Sequence, residues 1–290
     1  RYFVFNFLWE KLYGVCAPAW FDNKNQLAIN KYNHQYQRFT DVLFHNTKIG
    51  LKKDILMFSF SRRVKVGKKF ISPVTDEIAL NLKRSVCIVE TPYYGGFYRP
   101  CPIRGIKYYD VWDGIESEKN NNPPIARGQL RKQILSFFEN ELDIKFTTKE
   151  KTILVTNVNY FILYHDELMA RYKKIINKVK PKVVLYTMSY ISEWIILTET
   201  LKEMGIPGIE ILHGYVDNNC VAYNYSEVGL NNSLPDYIFA YSQIQKDVIK
   251  WGIPADHVRV VGNPWLEKRK KEFLNCNCEE KRKKTITFIS

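Results

Sequence analysis

Apolar positions change their period along the chain. Leu27, Ile29, Tyr32, Tyr36, Phe39, Val42 and Leu43 recur at near-helical spacing, so the first fifty residues are expected to form a helical extension. Beyond residue 51, short β-rich runs alternate with amphipathic stretches. Strands are expected at Ile55–Phe60, Val86–Glu90, Ile106–Tyr109, Ile153–Thr156, Val183–Thr187, Ile209–Leu212, Tyr237–Ala240, Val258–Val261 and Thr285–Ile289. Helices are expected at Asp76–Lys83, Arg127–Leu142, Tyr160–Lys178, Ser192–Met204, Gln243–Trp251 and Trp265–Leu274.

The later half carries the clearest pattern. Val183–Val184–Leu185–Tyr186 is an unbroken apolar run, as a strand covered on both faces requires. A helix follows, Gly205–Ile206–Pro207–Gly208 stops it, and the next strand begins at once. Strand, helix, strand at this spacing is a βαβ unit, and its repetition implies a parallel sheet. The expected fold is therefore α/β, a Rossmann-like parallel sheet with flanking helices, over 51–275. The charged run Cys278–Lys284 reads as a linker, so 276–290 is expected to hold that linker and the first strand of a further domain.

Composition narrows the partners. Lys and Arg number 43 against 30 Asp and Glu, a formal charge of +13, which favours anionic ligands: phosphates, nucleotides, acidic lipid or nucleic acid. Nucleic acid is not expected, because no helix-turn-helix or aromatic RNP-like strand is visible and the basic residues are spread rather than striped. No stretch approaches the ~18 apolar residues of a membrane span, and Glu10 and Lys11 break the apolar opening RYFVFNFLWEKLYG. The six cysteines show no CxxC pair, so a reducing, cytoplasmic compartment is expected, and no metal is expected at Cys276–Asn277–Cys278.

Candidate chemistry gathers at strand ends. His213 and Gly214 follow the carboxyl end of an expected parallel strand, where ligands bind in open α/β sheets. The imidazole there either acts as a general base or ligand contact, or caps a loop. Gly214 permits a sharp turn or a close backbone approach. Gly262–Asn263–Pro264 also lies between a strand and a helix, and suits either an anion at the helix N-terminus or a simple turn. Glu90 ends a strand beside an aromatic loop and is the second candidate base. Ser189, Tyr190 and Glu193 open a helix and offer acceptor contacts or a cap. Arg62 and Arg63 can meet anionic groups or remain solvated, and Asp110 and Asp113 beside Trp112 can bind sugar hydroxyls. The Lys-rich stretches at 173–182 and 268–271 are solvated faces or a site of attraction to anionic lipid.

The ordered pieces Gly205–Ile206–Pro207, Glu210, His213–Gly214, Tyr223, Pro235–Asp236–Tyr237, Trp251–Gly252 and Val261–Gly262–Asn263–Pro264 resemble a known family. It is that of the bacterial capsule and O-antigen glycosyltransferases of the two-Rossmann GT-B architecture. The resemblance covers 180–264 well and 51–113 loosely. Relatives often carry a second His after "HG", where this chain has Asp217–Asn218–Asn219–Cys220. The resemblance implies an acceptor-binding amino-terminal GT-B domain, a nucleotide-sugar donor, and a glycan or lipid-linked acceptor. It implies cytoplasmic work, possible peripheral contact with an anionic membrane, and no metal cofactor. His213 or Glu90 is then the base, and Gly214, Tyr223, Ser189, Tyr190, Glu193, Gly262, Asn263 and Arg62 the substrate-binding set. Two alternatives use the same scaffold: a sugar-nucleotide epimerase and a teichoic-acid-type glycerophosphotransferase. A third is a non-catalytic anion- or nucleic-acid-binding domain.

Overall fold

The computed structural model describes residues 52–275 apart from 83–84, 94–96, 112–131, 134, 142–144, 221, 226 and 230–232; for 141 and 152–163 only the backbone is described. The expected helical extension over 1–50 and the linker and strand over 276–290 lie outside the described residues. So do Tyr94, Trp112, Asp113, Cys276, Cys278 and, of the expected helix Arg127–Leu142, residues 127–131, 134 and 142; the rest of that stretch is helical.

Strands β1 (Ile55–Phe60), β4 (Val86–Thr91), β5 (Lys107–Tyr108), β6 (Val183–Tyr186), β7 (Gly208–Ile211), β8 (Tyr237–Ala240) and β9 (Val258–Val260) form one seven-stranded sheet. Its order is β5-β4-β1-β6-β7-β8-β9, and every pairing is parallel. β1 is central: Ile55 pairs with Val86 on one side and Val183 on the other. This is the Rossmann-like parallel sheet that the apolar runs predicted. A separate hairpin, β2 (Val64–Val66) and β3 (Lys69–Ile71), turns at Gly67 with φ +60°. No apolar pattern marks it in the sequence, because its strands are three residues long and lie mostly at the surface.

Both faces of the sheet are covered, which is why its strands read as continuous apolar runs. Alternation along β1 sends Leu56 and Phe58 to one face and Met57 to the other. The first face packs on α2 (Thr148–Val179) and α3 (Ser192–Glu203), where Tyr172 and Trp194 are wholly buried. The Phe58 ring stands edge-on to Tyr172 at 5.6 Å and tilted to Trp194 at 5.7 Å. Burying side chains of this size contributes about 1.5–3 kcal/mol each. The opposite face packs Met57, Ile88, Leu185 and Ile211 with Ala79 of α1 (Asp76–Leu82). Helices α4 (Gln243–Val248) and α5 (Pro264–Asn275) complete the set, and Lys268 of α5 bridges to Glu77 of α1 at 2.6 Å.

One expected strand is overturned. Ile153–Thr156 lies inside α2, which starts twelve residues before the expected Tyr160. Thr147 caps the helix, and Glu150 bonds back to the Thr147 amide at 2.7 Å, a complete capping box. That cap nucleates the helix upstream of the four-residue apolar run, whose β-branched residues alone suggest a strand.

Candidate functional site

The strand order dictates where the site lies. The chain runs outward from β1 to β4 and β5, then returns to the other side of β1 for β6 to β9. The order therefore reverses between β1 and β6, and in open α/β sheets ligands bind outside the carboxyl ends of the strands at such a reversal. The loop after β1 carries Arg62, that after β6 carries Ser189 and Tyr190, and that after β7 carries His213 and Gly214. Five residues chosen from sequence thus share one edge of the sheet.

His213 is half-buried, and its Nδ1 is enclosed with no hydrogen-bond partner among the described residues. Its ring lies 6.1 Å from that of Tyr190. Burial, assisted by the charge of Arg62, pushes its pKa down to about 4. The imidazole is neutral at pH 7, able to accept a proton or a hydrogen bond. Arg62 is exposed, its guanidinium 5.9 Å from the centroid of the Tyr93 ring.

Gly214 differs from expectation. Its backbone is not left-handed, so the turn does not require glycine, but a Cβ placed there would meet nothing within 4 Å. Open space beside the backbone is what remains of the expected close approach. The Gly214 carbonyl accepts from Gln245 Nε2 at 3.2 Å, which ties this loop to α4.

Beneath the edge sits a buried carboxylate. Glu210 of β7 is fully enclosed and accepts from the Ser189 hydroxyl at 2.5 Å and from the Tyr223 hydroxyl. The backbone N–H groups of Met188 and Ser189 lie near enough to favour its charged form. Burial raises its pKa, and these four groups oppose the rise. Ser189 and Tyr223 are themselves buried, so their hydroxyls serve Glu210 rather than the open edge where substrate contacts were expected. Tyr190 bridges the layers: its ring meets Tyr223 edge-on at 5.4 Å and lies against His213.

Glu90, the second candidate base, is fully buried. Arg63 Nε lies 3.1 Å from both of its carboxylate oxygens, and Arg63 Nη1 reaches Asp76 at 2.8 Å. Burial raises both carboxyls and the Arg63 guanidinium draws both back. A carboxylate so enclosed has no route to an acceptor hydroxyl. Arg63 is accordingly the core of an ion cluster rather than half of a solvated pair, and the sequence offers no sign of it beyond a second Arg.

Glu193 lines a cavity of about 50 Å³ with Phe60, Thr91, Asp110 and Trp194. That space holds a water or two and not a sugar ring. Gly262 and Asn263 stand apart, after β9 at the far edge. Three strand spacings separate β9 from β6, about 14 Å. Asn263 Oδ1 accepts from the amides of Trp265 and Leu266 at 3.1 Å each, and Gly262 is left-handed at φ +75°. The turn before a Pro at the first helical position is what forms, and two of the amides expected for an anion are already used.

Among the described residues no three His, Cys, Asp or Glu side chains gather as a metal would need, and no helix is long and apolar enough to cross a membrane.

No family model and no curated protein matches this sequence. Among solved structures the chain is similar to the UDP-GlcNAc 2-epimerase from Methanocaldococcus jannaschii, at 14% identity and TM-score 0.33, over 76% of this chain and 52% of that one. It is also similar to the UDP-N-acetylglucosamine 2-epimerase from Rickettsia bellii, at 12% identity and TM-score 0.32, over 78% and 50%. The chain thus spans about half the length of each.

Proposed function

We propose that the protein processes a nucleotide sugar at the edge formed by Arg62, Tyr190, His213 and Gly214. One observation carries this: a neutral imidazole with an enclosed, unpartnered Nδ1 stands on the carboxyl edge, one strand from the β1–β6 reversal, beside an exposed Arg and open space. Arg62 suits the diphosphate, and the rings of Tyr93 and Tyr190 suit the face of a sugar or base.

In glycosyl transfer, an acceptor hydroxyl gives its proton to His213 as its oxygen bonds to the anomeric carbon. The bond from that carbon to the diphosphate breaks, and the nucleotide leaves with the electron pair. A pKa near 4 makes His213 a weak base in the empty site. A diphosphate drawn to Arg62 offsets that cation and raises the basicity of the imidazole when substrate is present. The acceptor is a glycan or a lipid-linked glycan, as the motif resemblance implies. Epimerisation is the second reading. A neutral imidazole that can take a proton from O–H can take one from an activated C–H, and both solved structures above are named for that reaction.

One incubation separates the two. Labelled UDP-GlcNAc and other nucleotide sugars are supplied with and without acceptor. Release of free nucleotide only with acceptor identifies transfer; a new epimer without acceptor identifies epimerisation. His213→Ala is expected to lower either rate by about 10²–10⁴ while the circular dichroism spectrum is kept. Wild-type protein that neither binds nor turns over any nucleotide sugar would overturn the proposal.

A further inference from the structure

Glu210 is fully enclosed, as Glu90 is, but unlike Glu90 it has no cation of the described residues within ion-pair distance. A buried carboxylate is kept without a counter-ion only where fixed dipoles satisfy it. Here two hydroxyl donors converge from two loops, Ser189 after β6 and Tyr223 after β7, and the nearby Met188 and Ser189 amides favour the charged form. Met188 is left-handed at φ 55°, a conformation that a non-glycine residue adopts only where its surroundings fix it. The bend sets the Ser189 hydroxyl on Glu210 and leaves Tyr190, two residues on, against the His213 ring.

We infer that Glu210 is a positioning residue for His213, acting through the turn at Met188–Ser189 and through the ring contacts Tyr223–Tyr190–His213. The inference rests on the reading of His213 as the proton acceptor of the site. Glu210 touches neither His213 nor the open edge. Its two hydroxyl donors lie 21 and 13 residues away in sequence, so it joins loops that share no covalent reason to stay in register. With the pair held, Tyr190 walls one side of the imidazole and keeps water from Nδ1. Among the described residues, the charged and titratable groups facing the imidazole are Arg62 and Tyr190.

The test uses the full chain without ligand. The His213 ring signal is identified by its loss in His213→Ala, and its titration is followed by NMR in wild type, Glu210→Gln and Tyr223→Phe. An amide offers one accepting oxygen in place of two and carries no charge, and the hydroxyl facing its NH₂ must turn from donor to acceptor; the clasp weakens, the loops part and water reaches the imidazole. The His213 midpoint is expected to rise by about one unit in Glu210→Gln and by less in Tyr223→Phe. A folded Glu210→Gln protein that melts earlier but titrates at His213 as wild type does makes Glu210 merely structural and overturns the inference. Should that variant fail to fold, Tyr223→Phe, which keeps the ring, decides by the same readout. Because no nucleotide sugar is present, failure of the proposed function leaves this result intact, and the reverse also holds.

Discussion

The depressed pKa of His213 ties stability to pH. An unfolded histidine titrates near ~6.5, whereas the folded imidazole resists protonation down to about 4. Between these values the unfolded chain binds a proton that the folded chain refuses. The contribution of neutral, buried His213 is therefore present above pH 6.5 and lost as pH falls towards 4. Melting temperature measured across that window should fall as acid is added, and His213→Gln should flatten that part of the curve. A wild-type curve parallel to that of the variant through the window refutes the burial assigned to the ring. Part of this site is legible in the sequence. His213–Gly214, Arg62 and Tyr190 each follow an apolar run by one to four residues, and a parallel sheet sends such positions to one edge. Glu210 was visible only as a motif letter. A Glu within a strand gives no sign of burial when its donors lie at Ser189 and Tyr223, in other loops. Glu90 fails in the same way: a strand-end carboxylate looks alike from sequence whether or not an Arg 27 residues away has claimed it.

Arg63 acts on elements rather than on a site. It leaves β1, donates to Glu90 on β4 and Asp76 on α1, and reaches the Phe70 carbonyl on β3 at 3.4 Å. One side chain thus fastens the hairpin and the first helix to the central strands. Two carboxylates share its single charge, and all three groups are buried. Removing the cation strands both acids. Arg63→Met is expected to cost about 3–5 kcal/mol, measured as a lower midpoint in urea unfolding. A loss below 1 kcal/mol would show that water reaches the pair. The elements themselves were mostly legible, for a physical reason. Strands such as Val183–Tyr186 are covered on both faces, so apolar runs mark them without ambiguity, and Gly205 and Pro207 punctuate the helix between them. Ile153–Thr156 shows the limit. Four β-branched or apolar residues satisfy either structure, and the cap at Thr147, not the run, decides.

At the scale of the whole molecule the parallel sheet makes the two edges unequal. All seven strands point the same way, so every carboxyl-end loop lies on one side and every amino-end loop on the other. Arg62, Tyr190 and His213 stand on the first. The net charge of +13 draws an anion toward the molecule but cannot choose an edge; the reversal of strand order between β1 and β6 can. Hydrogen exchange with and without UDP tests that choice. Ligand bound at the proposed edge slows exchange where it removes local opening. Protection is expected at 61–63, 187–191 and 212–216, while the amino-end turns at 180–182 and 205–207 exchange as before. The protection should weaken in Arg62→Ala, since the diphosphate loses its cation, and weaken with added salt for the same reason. Slowed exchange confined to 180–182 and 205–207 would place the ligand on the wrong side of the sheet, out of reach of His213, and no rearrangement of surface loops could then reconcile the imidazole with the chemistry proposed for it.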